Sequence, residues 1–105
     1  KNKVVYIAGP ITGVADYKEK FFDAVMDLTF AGFIPLNPAW LPQGLTASQY
    51  MSIDLAMLNV ADAVYLLPGS ESSKGAVLER MYCSYISKPV FTEISKMKEA
   101  LLNGK

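Results

Sequence analysis

The chain has 105 residues, of which ten are acidic and ten are basic, so it lacks the excess positive charge with which proteins bind nucleic acids or anionic membranes. It contains no histidine, which excludes Ser-His-Asp catalysis and histidine-based metal sites. Its hydrophobic fraction is 51% and Cys83 is its only cysteine. This composition predicts one cytoplasmic domain over residues 1–105 that assembles as a homodimer or larger homo-oligomer.

The first half of the chain predicts two strands that flank one helix. Val4–Ala8 is a short continuous apolar run, which is typical of a buried strand. A helix follows over residues 17–31, where apolar side chains recur at helical spacing and Gly32 occupies the place of a C-terminal cap. Residues 33–36 form the second predicted strand. Residues 37–45 contain two prolines and a glycine, which predicts a long loop of the kind that often carries function.

The second half of the chain continues the alternation of strands and helices. The segment from Thr46 to Gln49 matches a capping box, which predicts a helix from there to about Val60. Residues 68–73 are polar and contain glycine, which predicts a loop. The remaining predicted elements are a strand at 63–67, a strand that starts at Val90–Phe91, and helices at 74–87 and 94–102.

Alternating apolar strands and helices predict an α/β fold, a flavodoxin-like or Rossmann-like three-layer sandwich with a mostly parallel sheet of four or five strands. In such sheets, ligands bind beyond the carboxyl ends of the strands. The predicted loops at residues 9–13, 37–45 and 68–73 are therefore expected to surround one crevice.

Two carboxylates lie on helix faces that are otherwise apolar. The residues one helical turn away from Asp54 and from Glu79 are uncharged, and no basic residue shares either face. A carboxylate that is buried without a charged partner has a perturbed pKa, and such groups cluster at functional sites. Alternatively, Asp54 lies at the edge of its apolar stripe and faces water, and Glu79, which precedes Arg80, is an ordinary solvated residue.

The start of the third predicted helix has the features of an anion site. Small residues and free N–H groups occur there, and Ser73 could donate a hydrogen bond to a phosphate or a sugar hydroxyl. Ser73 could equally be an ordinary N-cap, and both roles are compatible. Gly75 would let a ligand approach the backbone. The first loop, at residues 9–13, matches neither GxGxxG nor a Walker A sequence, so dinucleotide-binding and P-loop functions are set aside.

Three segments in this order and spacing resemble the nucleoside 2-deoxyribosyltransferase superfamily. They are Tyr6–Pro10 (YIAGP), Asp54 and Ser73–Glu79 (SKGAVLE). That superfamily includes small phage and bacterial relatives of unassigned function, and it includes the nucleoside 5′-monophosphate N-glycosidases. The resemblance extends over nearly the whole chain, roughly from Val4 to Phe91.

The resemblance implies a role for each matching residue. Glu79, four residues after Gly75, corresponds to the nucleophile, Asp54 to a substrate-binding carboxylate, and Tyr6 to an aromatic residue whose hydroxyl could position Glu79. Where the deoxyribosyltransferases carry a sugar-binding Asp, this chain has Ser73, as the monophosphate N-glycosidases do. This difference favours a 5′-phosphorylated substrate over base exchange between nucleosides.

The first loop matches the monophosphate enzymes less well. They carry a Ser and an Arg where this chain has Pro10 and, by the same alignment, Thr12. Stacking of Trp40 or Tyr50 on the base is a further expectation, although such aromatics often belong to the core. The residues predicted to bind substrate are Gly9, Pro10, Thr12, Trp40, Ser73 and Gly75.

The expected function is cleavage or transfer at the N-glycosidic bond of a nucleoside or nucleotide, with Glu79, Asp54 and Tyr6 as catalytic residues. A carboxylate beneath C1′ can stabilise or capture an oxocarbenium ion, and a second acid can protonate the leaving base. No cofactor and no metal are expected. One alternative is a non-catalytic nucleotide-binding module on the same fold. Another alternative is an interaction protein whose high content of apolar residues forms an interface with a partner.

Overall fold

A computed structural model describes residues 2–103 of the chain, and a parallel sheet of four strands forms its centre. The spatial order of the strands is β2-β1-β3-β4, and every neighbouring pair is parallel. Tyr6, for example, lies opposite Leu36 on one side and Val64 on the other. This sheet confirms the predicted α/β class. The strands are β1 (Val4–Ala8), β2 (Ile34–Leu36), β3 (Ala63–Leu66) and β4 (Val90–Phe91).

Helices cover both faces of the sheet. Successive side chains of a strand point to opposite faces, and β1 accordingly contributes to two cores. Val5 packs with residues of α1 and α4, whereas Ala8 packs with residues of α2 and α3. This arrangement confirms the predicted three-layer sandwich. The helices are α1 (Tyr17–Phe30), α2 (Ala47–Val60), α3 (Lys74–Tyr85) and α4 (Ile94–Lys98).

The end of α1 explains why β2 begins later than the sequence predicts. Gly32 has a φ of 96°, which is the left-handed conformation that commonly ends a helix. The Phe33 N–H then donates to Leu28 O at 2.9 Å and the Gly32 N–H donates to Thr29 O at 3.0 Å, which together form a Schellman motif. Phe33 is buried in the same core as Leu28. Because its N–H bonds to the helix end, the strand pairing begins one residue later, where the Ile34 N–H donates to Lys3 O at 2.9 Å.

The beginning of α2 has the capping box that the sequence predicts. The Gln49 N–H donates to Thr46 Oγ1 at 3.1 Å, and the Thr46 N–H donates to Gln49 Oε1 at 2.9 Å. These reciprocal bonds satisfy amides that have no acceptor within the helix. They fix the direction in which α2 leaves the preceding loop.

Other element ends differ from the prediction by a few residues. The third helix ends at Tyr85 rather than at residue 87, because Ser87 adopts a left-handed φ of 59°. After Lys98 the last helix changes to a π-helix, Glu99–Asn103. Short 3₁₀ turns occur at Pro38–Trp40 and Ser70–Ser72, inside the predicted loops. Between residues 2 and 103, no helix has the length and apolar character that crossing a membrane requires.

Candidate active site

Tyr6 lies in the internal strand β1 and is fully buried. Its side chain points toward the layer formed by α2 and α3. The Tyr6 hydroxyl donates a hydrogen bond to Glu79 Oε2 at 3.0 Å. Burial, and after it the nearby carboxylates of Glu79 and Asp54, raise the pKa of Tyr6 far above its usual range. This hydroxyl therefore keeps its proton and acts as a donor.

Glu79 lies on the inner face of α3, and only 5% of its surface is exposed. Burial is the main cause that raises the pKa of Glu79 from its ordinary value of 4.5 to about 8, and the Asp54 carboxylate adds to it by charge repulsion and by a hydrogen bond. The hydrogen bond from Tyr6 acts in the opposite direction, because it stabilises the ionised carboxylate. At neutral pH Glu79 therefore holds a proton.

Asp54 lies on α2 and is close enough to Glu79 for the two carboxyl groups to hydrogen-bond. Burial raises the pKa of Asp54, and the hydrogen bond with Glu79 partly offsets this. Asp54 Oδ1 is buried and receives no hydrogen bond from a donor group of residues 2–103. Two carboxyl groups can bond to each other only through a proton, so we assign one shared proton to the pair, with Glu79 as its donor and Asp54 as its acceptor.

Within residues 2–103, no basic side chain offsets the charge of this pair. No basic side chain of residues 2–103 contributes to the pKa of Glu79 or of Asp54. The pair therefore combines one acid and one carboxylate at neutral pH, beside the Tyr6 donor. In the same part of the chain, no three His, Cys, Asp or Glu side chains form a group that could hold a metal ion.

The carboxyl pair forms part of the wall of a cavity of about 560 Å³, a size typical of small-molecule sites. The loops that follow β1 and β2 form this wall together with α2 and α3. The structure thus brings together the three residues predicted to be catalytic and most of those predicted to bind substrate. The predicted residues that line the cavity are Tyr6, Gly9, Thr12, Asp54, Ser73, Gly75 and Glu79.

Two predicted substrate-binding residues, Pro10 and Trp40, do not line this cavity. Trp40 ends a 3₁₀ turn and is 64% exposed. Pro10 lies beside Gly69, where a Cβ atom would be 3.5 Å from Pro10 Cγ. Tyr50, the other aromatic considered for stacking, does line the cavity. The Trp40 indole therefore lies outside the space that contains the carboxyl pair.

A family model described as a domain of unknown function, DUF4406, matches residues 3–92. The chain belongs to the DUF4406 family. The matched range contains the four strands, α1 to α3 and every residue that lines the cavity, so the candidate site lies wholly inside the DUF4406 domain. A comparison with curated proteins gave no match.

Gly9 and Gly75 line the cavity of the DUF4406 domain for different reasons. A Cβ atom on Gly9 would lie 3.0 Å from Leu67 Cβ and 3.2 Å from Phe21 Cζ, so close packing of the first loop requires glycine there. A Cβ atom on Gly75 would come no closer than 3.9 Å to Met51 Cε, an ordinary contact. Gly75 therefore leaves open space at the first turn of α3, where a ligand can approach the backbone.

Ser73 combines a capping role with a place in the cavity wall. Its Oγ accepts a hydrogen bond from the Ala76 N–H at 3.3 Å, which is the usual function of an N-cap serine. The same hydroxyl retains its own proton as a donor. The N–H groups of the first turn, at Lys74 and Gly75, have no acceptor within the helix. This end of α3 can therefore present several donors to a ligand.

Sequence reasoning missed several residues of the cavity wall. Met51 lies one helical turn before Asp54, so the helical spacing that marks Asp54 also marks Met51. Gln43 belongs to the long loop that was expected to carry function. Tyr17 gave no local signal, because turns within the preceding loop, such as the bond from the Val14 N–H to Ile11 O at 3.1 Å, bring it to the cavity. Lys74 adds a cation to the wall.

Proposed function

We propose that this DUF4406 domain cleaves or transfers the N-glycosidic bond of a (deoxy)nucleoside or its 5′-monophosphate, with Glu79 as the nucleophile. The observation that carries the proposal is the pair formed by the buried Glu79 and the half-buried Asp54 in the cavity wall, together with the Tyr6 donor. N-glycosidic cleavage requires an anion near C1′ and an acid for the leaving base. A carboxyl pair with one proton supplies both.

In the proposed reaction, protons and electron pairs move between the carboxyl pair, the substrate and the water or base that attacks C1′. The shared proton first transfers from Glu79 to Asp54, which leaves Glu79 as the carboxylate. The C1′–N bond then breaks with its electron pair going to the base, and Asp54 gives the proton to the base nitrogen. A Glu79 carboxylate oxygen then forms a bond with C1′, and the Tyr6 hydroxyl orients that carboxylate. Attack at C1′ by water, or by the N–H of a second base, releases Glu79 and returns one proton to the pair.

A 5′-monophosphate is the substrate class that the cavity wall favours. Ser73 and the free amides of the first turn of α3 are donors suited to phosphate oxygens. Lys74 provides a positive charge in the same wall. A phosphate held there would be attracted by the helix dipole and by this cation together.

Incubation with a panel of nucleosides and 5′-monophosphates tests the proposal directly. The wild-type protein should release free base from at least one member, and chromatography of the products detects it. Base release only in the presence of a second, acceptor base would indicate transfer. Binding of the panel without release would instead support a non-catalytic nucleotide-binding module.

The rate of cleavage should decline as the pH rises through about 8. Because the pKa of Glu79 is raised to about 8, the shared proton is lost above that pH and the leaving base has no acid. We expect kcat/KM to fall about tenfold for each further pH unit. At low pH the rate should also decline, because both carboxyl groups then hold protons and no nucleophile remains. A profile that rises steadily to about pH 10 would contradict the shared proton.

We also propose that the protein is a cytoplasmic homodimer whose interface includes the outer face of α3. Exposed apolar side chains recur there at helical spacing, with Val77 at 39%, Met81 at 63% and Tyr85 at 86% exposure. Apolar surface of this kind marks interaction sites. The single Cys83 is a buried free thiol, which suits a reducing compartment.

The Met81→Glu variant should shift the protein from dimer to monomer. A charge in the middle of an apolar interface is costly to bury, so light scattering at micromolar concentration should give a mass close to the 11.5 kDa of one chain. The Lys18→Glu variant changes an exposed residue on α1, on the other side of the sheet, and should leave the dimer intact. A monomeric wild-type protein would refute the proposed interface.

A further inference from the structure

One tyrosine hydroxyl forms hydrogen bonds with two backbone groups of the loop between the first 3₁₀ turn and α2. The Tyr50 hydroxyl donates to Pro42 O at 2.6 Å and accepts a bond from the Leu45 N–H at 3.4 Å. Residues 43 and 44 form a turn, and the Tyr50 hydroxyl contacts the backbone on both sides of it. A single side-chain atom therefore links both ends of this turn to α2.

This loop is also part of the cavity wall. Leu41 and Gln43 line the cavity from the loop, and Tyr50 and Met51 line it from α2. Gly44 adopts a left-handed φ of 100°, so the chain reverses direction between the two points that Tyr50 holds. Residues 42–44 are otherwise exposed. The hydroxyl thus fixes the turn that carries Gln43 relative to α2.

We propose that Tyr50 is a positioning residue whose hydroxyl holds the loop of residues 42–45 in the conformation that receives substrate. The inference rests on the proposed function, because it takes the cavity as the nucleotide site. Neither hydrogen bond of Tyr50 involves the carboxyl pair. The hydroxyl therefore acts on binding and leaves the bond-breaking step to Glu79 and Asp54.

The Tyr50→Phe variant isolates this role because it keeps the aromatic ring and removes only the hydroxyl. Loss of the two hydrogen bonds should let the loop sample other conformations. The free energy of nucleotide binding then becomes less favourable, because the loop has to be ordered when the nucleotide binds. We expect KM for the best nucleotide of the panel to rise roughly fivefold to tenfold with kcat nearly unchanged. If Tyr50 acted only by stacking on the base, the retained ring would leave KM unaltered.

Two measurements decide the inference without relying on turnover alone. Hydrogen exchange of the peptide that covers residues 41–49 should be faster in Tyr50→Phe than in the wild type. Calorimetry on a Glu79→Gln background, with a deoxynucleoside 5′-monophosphate as the probe, should show weaker binding when Tyr50→Phe is added. Tyr82→Phe is the matched control, because it removes a hydroxyl that bonds Asn59 Oδ1 at 3.0 Å outside the cavity.

The outcomes separate the two proposals. Unchanged hydrogen exchange in Tyr50→Phe would show that the hydroxyl does not hold the loop of residues 42–45. Faster exchange with unchanged affinity and KM would show that holding the loop does not contribute to binding. If binding weakens in Tyr50→Phe while the wild type cleaves no substrate, the role of the Tyr50 hydroxyl is supported and the proposed chemistry is refuted. A wild-type protein that neither binds nor cleaves any member of the panel would refute both.

Discussion

The Glu79→Gln variant should lose N-glycosidic cleavage almost completely while it still folds and binds the nucleotide. Gln is nearly isosteric with Glu, and its Oε1 can accept the hydrogen bond that the Tyr6 hydroxyl now gives to Glu79 Oε2. It can neither form the bond to C1′ nor contribute the shared proton. We expect kcat to fall by roughly three to six orders of magnitude with little change in the dissociation constant. Single-turnover kinetics measures the rate of cleavage, and calorimetry measures the dissociation constant.

Comparison with Asp54→Asn separates the nucleophile from the acid. A deoxyriboside with a nitrophenol leaving group needs no protonation, so it should restore activity to Asp54→Asn and leave Glu79→Gln inactive. The control variant is Glu19→Gln, which changes an exposed carboxylate on α1 and should behave as the wild type. Retention of more than about a tenth of the wild-type kcat by Glu79→Gln would remove this residue from the nucleophile role.

The fold could be predicted from the sequence because its signals are local. The strand Val4–Ala8 has the predicted bounds, and β4 begins at Val90 as predicted, since both are marked by short apolar runs. The Thr46 capping box was equally visible, because its four residues contain both partners. The start of β2 was missed because the apolar pattern does not mark backbone hydrogen bonds. Phe33 leaves β2 because its N–H donates to Leu28 O at 2.9 Å in the Schellman motif.

The site could be predicted only in part, since it depends on how helices pack. Helical spacing marked Asp54 and Glu79 separately as carboxylates among uncharged neighbours, but their shared proton depends on the packing of α2 against α3. Trp40 looked suitable for stacking because of its residue type, and the 3₁₀ turn leaves it outside the cavity. The two hydrogen bonds of Tyr50 have no sequence signature, because nothing local specifies a bond to Pro42 O.

The stability of the protein should depend on pH through Glu79, and this result requires no substrate. The pKa of Glu79 is 4.5 in its ordinary state and about 8 in the folded protein. Between those values the folded state holds a proton that the unfolded state has released. The stabilising contribution of this protonation is therefore complete below about pH 4.5 and is lost progressively as the pH rises to about 8. Burial of Asp54 raises its pKa as well, which acts in the same direction.

Replacement of Glu79 by Gln should remove this dependence and make the variant more stable than the wild type at alkaline pH. The free energy of unfolding of Glu79→Gln, minus that of the wild type, should increase by about 1.4 kcal/mol for each pH unit from about pH 5 to about pH 8 and then level off. Urea unfolding at several pH values and one fixed protein concentration measures this difference. Glu19→Gln, at an exposed position, should show no such trend. A difference that stays constant with pH would mean that Glu79 is already ionised in the folded protein at neutral pH. The shared proton would then be absent, and the leaving base would have to take its proton from solvent.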